Sequence, residues 1–510
     1  MKCYCREITV KGFSNGILIF GLLLLNGCYF NGVRENRCID NLERLQSELN
    51  TIFDDPEFYN AHWGVVIQSL ETGENIYLKN ENKNFMPASN MKLFTTAVAL
   101  LKLRPDFKYR THLFHNGTVV DGILNGDLII QGSGDPSFTS RYHDGNIVGI
   151  FEQWADSLKK SGIHAIEGDI VGDDNFFDEE IMGDGWAWDY QSDWYAAQIS
   201  ALSFNDNCMD ILFTPGDSVG APANYRLEPE TDFVEIINHV TTVGPEKETA
   251  IYYNRLRGTN RVVISGRMAI DTTEKRDWFS IENPTLYTTT ILKQVLEQNG
   301  IIVSGVPRDI DHCEPDEFAE EDLIRVFVHE SPPLWKIVNT INKVSQNLYA
   351  ELLLRTLGAE LKQQGNAEGG IQVVKETIPD MGINPVNFVM VDGSGLSRLN
   401  LITPRQITQL LRYMHESPAN KFFYNSLPTA GVDGSLKHRM KNTSAKGKVI
   451  AKTGYLGHAV ALSGYLRTGE NEECVFSLIT NNFTAPTSLA HQVQDAACER
   501  LTSFVRILRR

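Results

Sequence analysis

The chain has 510 residues, enough for two to four domains of ~100–200 residues each. Its 42% hydrophobic content can build proper cores, and no low-complexity tract argues for disorder. A formal net charge of −17 speaks against a general nucleic-acid binder, which presents a basic face, and the sequence carries no P-loop, H-E-x-x-H or C-x-x-C.

At the N-terminus, Lys2, Arg6 and Lys11 precede an apolar run from Ile17 to Leu25, and small or polar residues lead on to Cys28. The run is too short for a membrane span and reads as a secretory signal over residues 1–27. Leu25-Asn26-Gly27-Cys28 resembles a bacterial lipobox, in which the cysteine becomes the lipidated first residue. Asn26 stands where a small residue is usual, so an ordinary cleaved signal with an incidental Cys28 is the alternative. The expected location is the periplasmic side of a bacterial envelope, with a lipid anchor as the one membrane contact.

Residues 28–40 read as a polar leader, and a helix follows in "IDNLERLQSELNTIFDD". The stretch "HWGVVIQSLETGENIYLKN" is a strand pattern broken by a Thr72-Gly73 turn. In "FMPASNMKLFTTAVALLKL" apolar residues recur at helical spacing behind Pro87. From 106 to 278 short β-like runs alternate with Gly/Asp turns, which reads as inserted β-rich material. Helical patterns return at "NPTLYTTTILKQVLEQNG" and strands close the chain. The expectation is one α/β domain in two parts, 41–105 and 279–510, split by the insertion.

Three short elements carry chemistry. Ser89-Asn90-Met91-Lys92 is an S-x-x-K element, whose i and i+3 side chains share a helix face. A serine hydroxyl needs a neighbouring base, and a desolvated lysine beside another cation can be one. Ser345-Gln346-Asn347 stands at a loop-to-helix junction, and Lys452-Thr453-Gly454 lies on a strand. A sheet edge carrying Lys-Thr-Gly can bind an extended substrate by strand addition, with Gly454 letting the backbone come close. The N–H groups of Ser89 and Tyr455 would then form an oxyanion hole.

Each element alone also reads as an ordinary helix face, N-cap or strand end, and decoys exist: Ser157/Lys160, Lys160-Ser161-Gly162 and Ser203-Phe204-Asn205. The decoys share Lys160 and run in the wrong order, whereas the separated set agrees in order and local context. Cys38, Cys208, Cys313, Cys474 and Cys498 are scattered without ligand spacing. An oxidising compartment would allow one disulfide, and neither metal nor cofactor is expected.

The order of the three elements resembles that of the penicillin-recognising serine acyl-transferases. "VDGSGLSRLNLITP", "LPTAGVDGSLKHRM", "GDLIIQGSGDPSF", "GWAWDY" and "SALSFNDN" narrow the resemblance to class C low-molecular-mass penicillin-binding proteins. These are the D-alanyl-D-alanine carboxypeptidases/endopeptidases of the peptidase S13 family. The resemblance implies a transpeptidase/β-lactamase-like α/β domain, an antiparallel sheet flanked by helices, interrupted by two small β-rich domains. It implies Ser89 as acylated nucleophile, Lys92 as its base, Ser345 as proton relay, and Asn347 and Lys452 as orienting groups. Thr453 would meet the substrate carboxylate, and Arg398, Asp189 and Tyr195 would stand near the substrate. In Trp186-Ala187-Trp188-Asp189-Tyr190, tyrosine fills the position where the family often has an acid that recognises a free amine. The implied partners are peptidoglycan peptides and β-lactam antibiotics. A β-lactamase and a non-catalytic peptidoglycan-binding lipoprotein are the competing readings; Ser-Gln-Asn, the long insertion and D-G-S-G-L-S-R favour the peptidase.

Overall fold

The computed structural model describes residues 41–314, 317–318 and 320–506. The signal-like segment, Cys28 and the leader lie outside the described residues.

Alternating apolar residues build the central sheet. Along Glu473–Asn481, Val475 and Ile479 join the core on one face, while Phe476 and Leu478 join the core on the other. A period of two with both faces apolar is what a covered sheet requires. The five strands, all antiparallel, run in the spatial order Val449–Leu456, Ala459–Arg467, Glu473–Asn481, His62–Ser69, Asn75–Lys79. The front and the back of the chain therefore meet in one sheet, as the expected α/β architecture demands.

One face is covered by the helix over 41–53 and by Thr487–Thr502, through Leu45, Leu49, Phe53, Ala497 and Leu501. The other is covered by Met91–Lys102, Leu334–Lys343, Asn347–Lys362 and Pro404–Glu416. Met91–Lys102 is apolar nearly all round and buried from Met91 to Leu100, so it runs through the core. Among the described residues no helix is long and apolar enough to cross a membrane.

The insertion enters and leaves on neighbouring strands. Arg110–His115 pairs antiparallel with Ile324–Glu330, and Leu334 N donates to Phe107 O at 2.8 Å just inside that pair. The two belong to a five-stranded sheet, and between them in the chain lie a four-stranded sheet and two of three strands, around a core of their own. The inserted material differs from the β-rich expectation in two ways. It holds a helix, Gly149–Lys160, and it reaches past residue 278. The helix Pro284–Gln298 packs Tyr287, Ile291 and Leu296 into the inserted core, and strands Ile302–Val303, Pro307–Asp309 and Ile324–Glu330 pair with inserted strands. Helical spacing announces a helix but not which sheet it will cover.

The insertion also grips the second motif. In the tight loop around Asp206, Asn205, Asp206 and Asn207 hold φ of 48°, 58° and 53°, a region that Asn and Asp tolerate best. Asp206 accepts from Tyr349 Oη at 2.8 Å, from Gln346 Nε2 at 3.0 Å and from the Arg141 guanidinium. Gln346 and Tyr349 flank Asn347 and are buried. Asp206→Ala strips partners from these buried groups, and we expect a loss of about 2–4 kcal/mol. Thermal melts check this; a wild-type melting temperature would show that the clamp contributes nothing.

Candidate active site

Ser89 opens the buried helix. Ala88 before it holds φ +47°, an uncommon conformation for a residue with a Cβ, and the short turn Ala88–Asn90 runs straight into Met91–Lys102. This turn leaves Ser89 half-buried and facing a cleft while Ala88 and Asn90 are sealed in the core. Asn90 Nδ2 donates to Lys452 O at 3.0 Å, which ties the helix start to the strand Val449–Leu456. Gly454 permits the close approach: a Cβ there would lie 2.9 Å from Pro87 O and 3.1 Å from Ser89 N.

Lys92, one turn on, is fully buried. Its Nζ sits 2.9 Å from Ser89 Oγ and donates to Asn347 Oδ1 at 2.6 Å and to Ser394 O at 2.7 Å. Burial brings its pKa down to about 7, against the pull of the Asp392 and Glu351 carboxylates. A neutral amine has two N–H bonds and one lone pair. With Asn347 and Ser394 taking the hydrogens, the lone pair is left for the Ser89 proton.

Lys452 Nζ lies 2.8 Å from Ser345 Oγ and donates to Thr453 O at 2.9 Å. Burial, then the nearby Lys92, holds Lys452 well below the ordinary lysine range. Ser345 stands at φ +63° just before the helix Asn347–Lys362, which turns its hydroxyl toward Lys452. Asn347 Nδ2 donates to Tyr195 O at 2.7 Å, so its amide is fixed at both ends. Thr453 Oγ1 is 2.7 Å from Ser435 Oγ, a hydroxyl pair on the cleft wall. Ser89, Ser345, Asn347, Thr453 and Gly454 line one cleft of about 610 Å³. Tyr190, Trp194, Tyr195 and Tyr455 supply its aromatic walls.

The substrate-side candidates divide. Tyr195 lines the cleft, and its Oη donates to Asp193 Oδ2 at 2.8 Å. Arg398 Nη1 reaches Gly457 O at 3.0 Å, beside the turn that follows the Lys452 strand. Asp189 is exposed and does not line the cleft; its neighbour Tyr190 does. The decoys stay apart: Ser157 and Lys160 lie on the last turn of Gly149–Lys160, with Lys160 exposed. A G-x-S-x-G pattern, Gly216 to Gly220, lies on a loop with Ser218 exposed and not on a strand-to-helix elbow. A larger cavity, about 1150 Å³, opens around Tyr109 and contains none of the candidate catalytic residues. Cys208, Cys313, Cys474 and Cys498 are free thiols. Among the described residues one acidic trio, Asp174, Asp309 and Asp311, brings carboxylate oxygens within 4.8 Å of one another. It lies in the insertion, where Thr285, Ser200 and Asn283 donate to it.

Sequence reasoning missed the support beneath Lys92. Glu351, buried on the helix Asn347–Lys362, accepts from Ser394 N at 2.8 Å and Gly393 N at 3.0 Å. Asp392 accepts from Ser397 N at 2.6 Å, Asn400 Nδ2 at 2.7 Å, Gly395 N at 2.8 Å and Trp186 Nε1 at 2.9 Å. Together they fix the loop whose Ser394 O receives Lys92. A signal was present: Glu351 stands one turn after Asn347, an acid inside the apolar run "NLYAELLLRTLG".

A serine hydroxyl beside a desolvated lysine, a Ser–Lys pair opposite it, and an antiparallel sheet whose edge strand walls the cleft are the features expected of a penicillin-binding serine enzyme. The chain belongs to the D-Ala-D-Ala carboxypeptidase 3 (S13) family, which it matches over residues 45–503. It is 31% identical over 480 residues to the D-alanyl-D-alanine carboxypeptidase of Actinomadura sp. (strain R39), covering 91% of this chain and 85% of that one. Penicillin binding protein 4 (dacB) from Haemophilus influenzae shares the fold with a TM-score of 0.76 at 24% identity, covering 90% of this chain and 99% of that one. The structure of that protein complexed with a novel beta-lactam gives 0.70 at 23% identity, covering 88% and 98%. The enzyme is thus a serine-type D-Ala-D-Ala carboxypeptidase.

Removing the charge under the Ser394 loop lowers the Lys92 pKa further, because Glu351 pulls it upward. We therefore expect Glu351→Gln to move the acid limb of the pH–acylation profile to lower pH. An unshifted limb, measured by penicillin acylation rates, would show that Glu351 does not act on Lys92.

Proposed function

We propose that Ser89 is the nucleophile and Lys92 its general base in cleaving the terminal D-alanine from peptidoglycan stem peptides. The contacts of Lys92 Nζ with Ser89, Asn347 and Ser394 carry the reading. Neutral Lys92 takes the Ser89 proton as Oγ attacks the carbonyl of the penultimate D-alanine. The N–H groups of Ser89 and Tyr455 stabilise the oxyanion, a donor pair of the kind whose single loss costs ~10²–10³ in rate. As the tetrahedral intermediate collapses, the Ser345 hydroxyl, held 2.8 Å from Lys452, gives its proton to the departing D-alanine nitrogen and is reprotonated with the proton that Lys92 took, so that Lys92 is neutral again. Thr453 and Ser435 receive the free carboxylate of the leaving residue. Water then attacks the acyl-enzyme, Lys92 taking its proton and passing it to Ser89 Oγ as the ester bond breaks.

The same steps apply to a cross-link, in which a D-alanine carbonyl is joined to a second stem, so endopeptidase action belongs to this proposal. A β-lactam presents its ring amide to Ser89 and forms a lasting adduct, since the amine remains attached. Arg398 and Tyr195 would contact the residue preceding the D-alanines, with Asp189 outside the cleft and acting only at range. We place the enzyme in the cell envelope, on the periplasmic side, as a mature chain held by a lipid on Cys28. That reading rests on the lipobox-like sequence.

Ser89→Ala should abolish both D-alanine release and fluorescent penicillin labelling. Labelling that persists would refute the nucleophile assignment. Because a neutral Lys92 is the reactive form and its pKa is about 7, acylation should rise with pH through that value and fall below it. A flat profile from pH 5 to 8 would exclude Lys92 as the base. A long-lived adduct with slow nitrocefin turnover would decide against the β-lactamase reading, and rapid turnover would favour it.

A further inference from the structure

Trp194 walls a second cavity besides the catalytic cleft. This smaller groove of about 180 Å³ meets the cleft at Trp194, is lined by Asn347's neighbour Gln346, and reaches Trp278 on the insertion. Ser280 N donates to Ser192 O at 3.2 Å, which holds the strand carrying Trp278 beside the turn carrying Trp194. Both indoles are large apolar side chains left in the open, 36% and 41% exposed. An exposed aromatic pair flanking a groove marks a binding surface more often than a packing fault.

The groove's polar groups point to the chemistry of the occupant. Asp206 is paired with Arg141, and Asp210 with Arg276 at 2.7 Å, so the groove contains no uncompensated charge. Both carboxylates keep lone pairs for further donors, and both guanidinium groups keep N–H bonds. Gln346 is buried, and its Oε1 has no donor among the described residues. Charge-neutral pairs, an unused amide oxygen and two flat apolar faces suit a neutral ring with many hydroxyls better than an ionised peptide.

We propose that this groove binds a pyranose of the peptidoglycan glycan strand, an N-acetylhexosamine stacked on Trp278 with its hydroxyls on Asp206, Asp210 and Arg141. The inference rests on the function proposed above: sugar and stem peptide are one molecule, and the groove lies on the other side of Trp194 from the cleft that takes the peptide. The enzyme then reads its substrate at two places, the D-alanine end in the cleft and the sugar in the groove.

Two measurements on the mature chain test it. In the first, N-acetylglucosaminyl-N-acetylmuramic acid is titrated against tryptophan fluorescence, independently of catalysis. Saturable quenching is expected of the unaltered chain, and calorimetry, which needs no indole reporter, should show binding lost in Trp278→Ala and kept in Trp278→Phe, which retains an aromatic face. In the second, D-alanine release is compared between a disaccharide-pentapeptide and the same pentapeptide without sugar. The sugar should raise kcat/KM on the order of tenfold, equivalent to about 1.4 kcal/mol. Trp278→Ala should erase that preference while leaving the sugar-free peptide unchanged. Absence of quenching, a preference that survives Trp278→Ala, or a preference that follows a second peptide in a sugar-free cross-linked dimer would overturn the proposal. Failure of both pentapeptides to release D-alanine bears on Ser89 alone, and the titration still decides the groove.

Discussion

The molecule is organised around a lysine amine kept away from water. Placing an ammonium in a protein interior is expensive enough that the group tends to lose its proton or find partners. Lys92 does both. Burial moves its pKa to about 7, and three oxygens surround its nitrogen. One of those oxygens, on Ser89, is a turn away, but Asn347 and Ser394 are distant in the chain, so the tertiary fold must be nearly complete before the amine is satisfied. The helix that carries Lys92 is apolar all round because it has to pass through the core to put a charge-bearing group there.

The surroundings of the lysine form a layered support. Glu351 and Asp392 collect backbone N–H groups and convert the Gly-rich loop 392–400 into a rigid acceptor. Their negative charge opposes the desolvation of Lys92, and Lys92 in turn adds to the burial that holds Lys452 low. Buried charged networks of this kind stabilise little in net terms, and their main effect is to define one geometry. Glu351 itself is pushed up to about 7 by burial and by Asp392.

Much of this was legible in the sequence, and the reason is local. Ser89 and Lys92 are one helical turn apart, and Lys452 to Gly454 interrupt a strand-like run, so spacing alone sets their relation. The central strands announced themselves by alternation. The contacts that escaped are those between segments far apart. Spacing gave no hint that Trp186 would reach Asp392 or that Asp206 would clamp Gln346 and Tyr349. The helix Pro284–Gln298 shows the same limit, since its periodicity was plain while its partner sheet was not. Asp189 and Tyr190 are adjacent in the chain, yet only the tyrosine lines the cleft.

The entry and exit strands of the insertion, Arg110–His115 and Ile324–Glu330, are hydrogen-bonded neighbours. A guest segment whose two ends already lie side by side imposes almost no closure penalty on its host, whatever its length, because that entropy grows only logarithmically with chain length. The catalytic unit can therefore tolerate exchange or enlargement of the guest without opening its own core. It cannot dispense with the guest's grip on the site, through Tyr195 on Asn347, Asp206 on Gln346 and Tyr349, and Trp186 on Asp392. The architecture thus separates evolvability from competence: the attachment point is permissive, and the contacts on its far side are not.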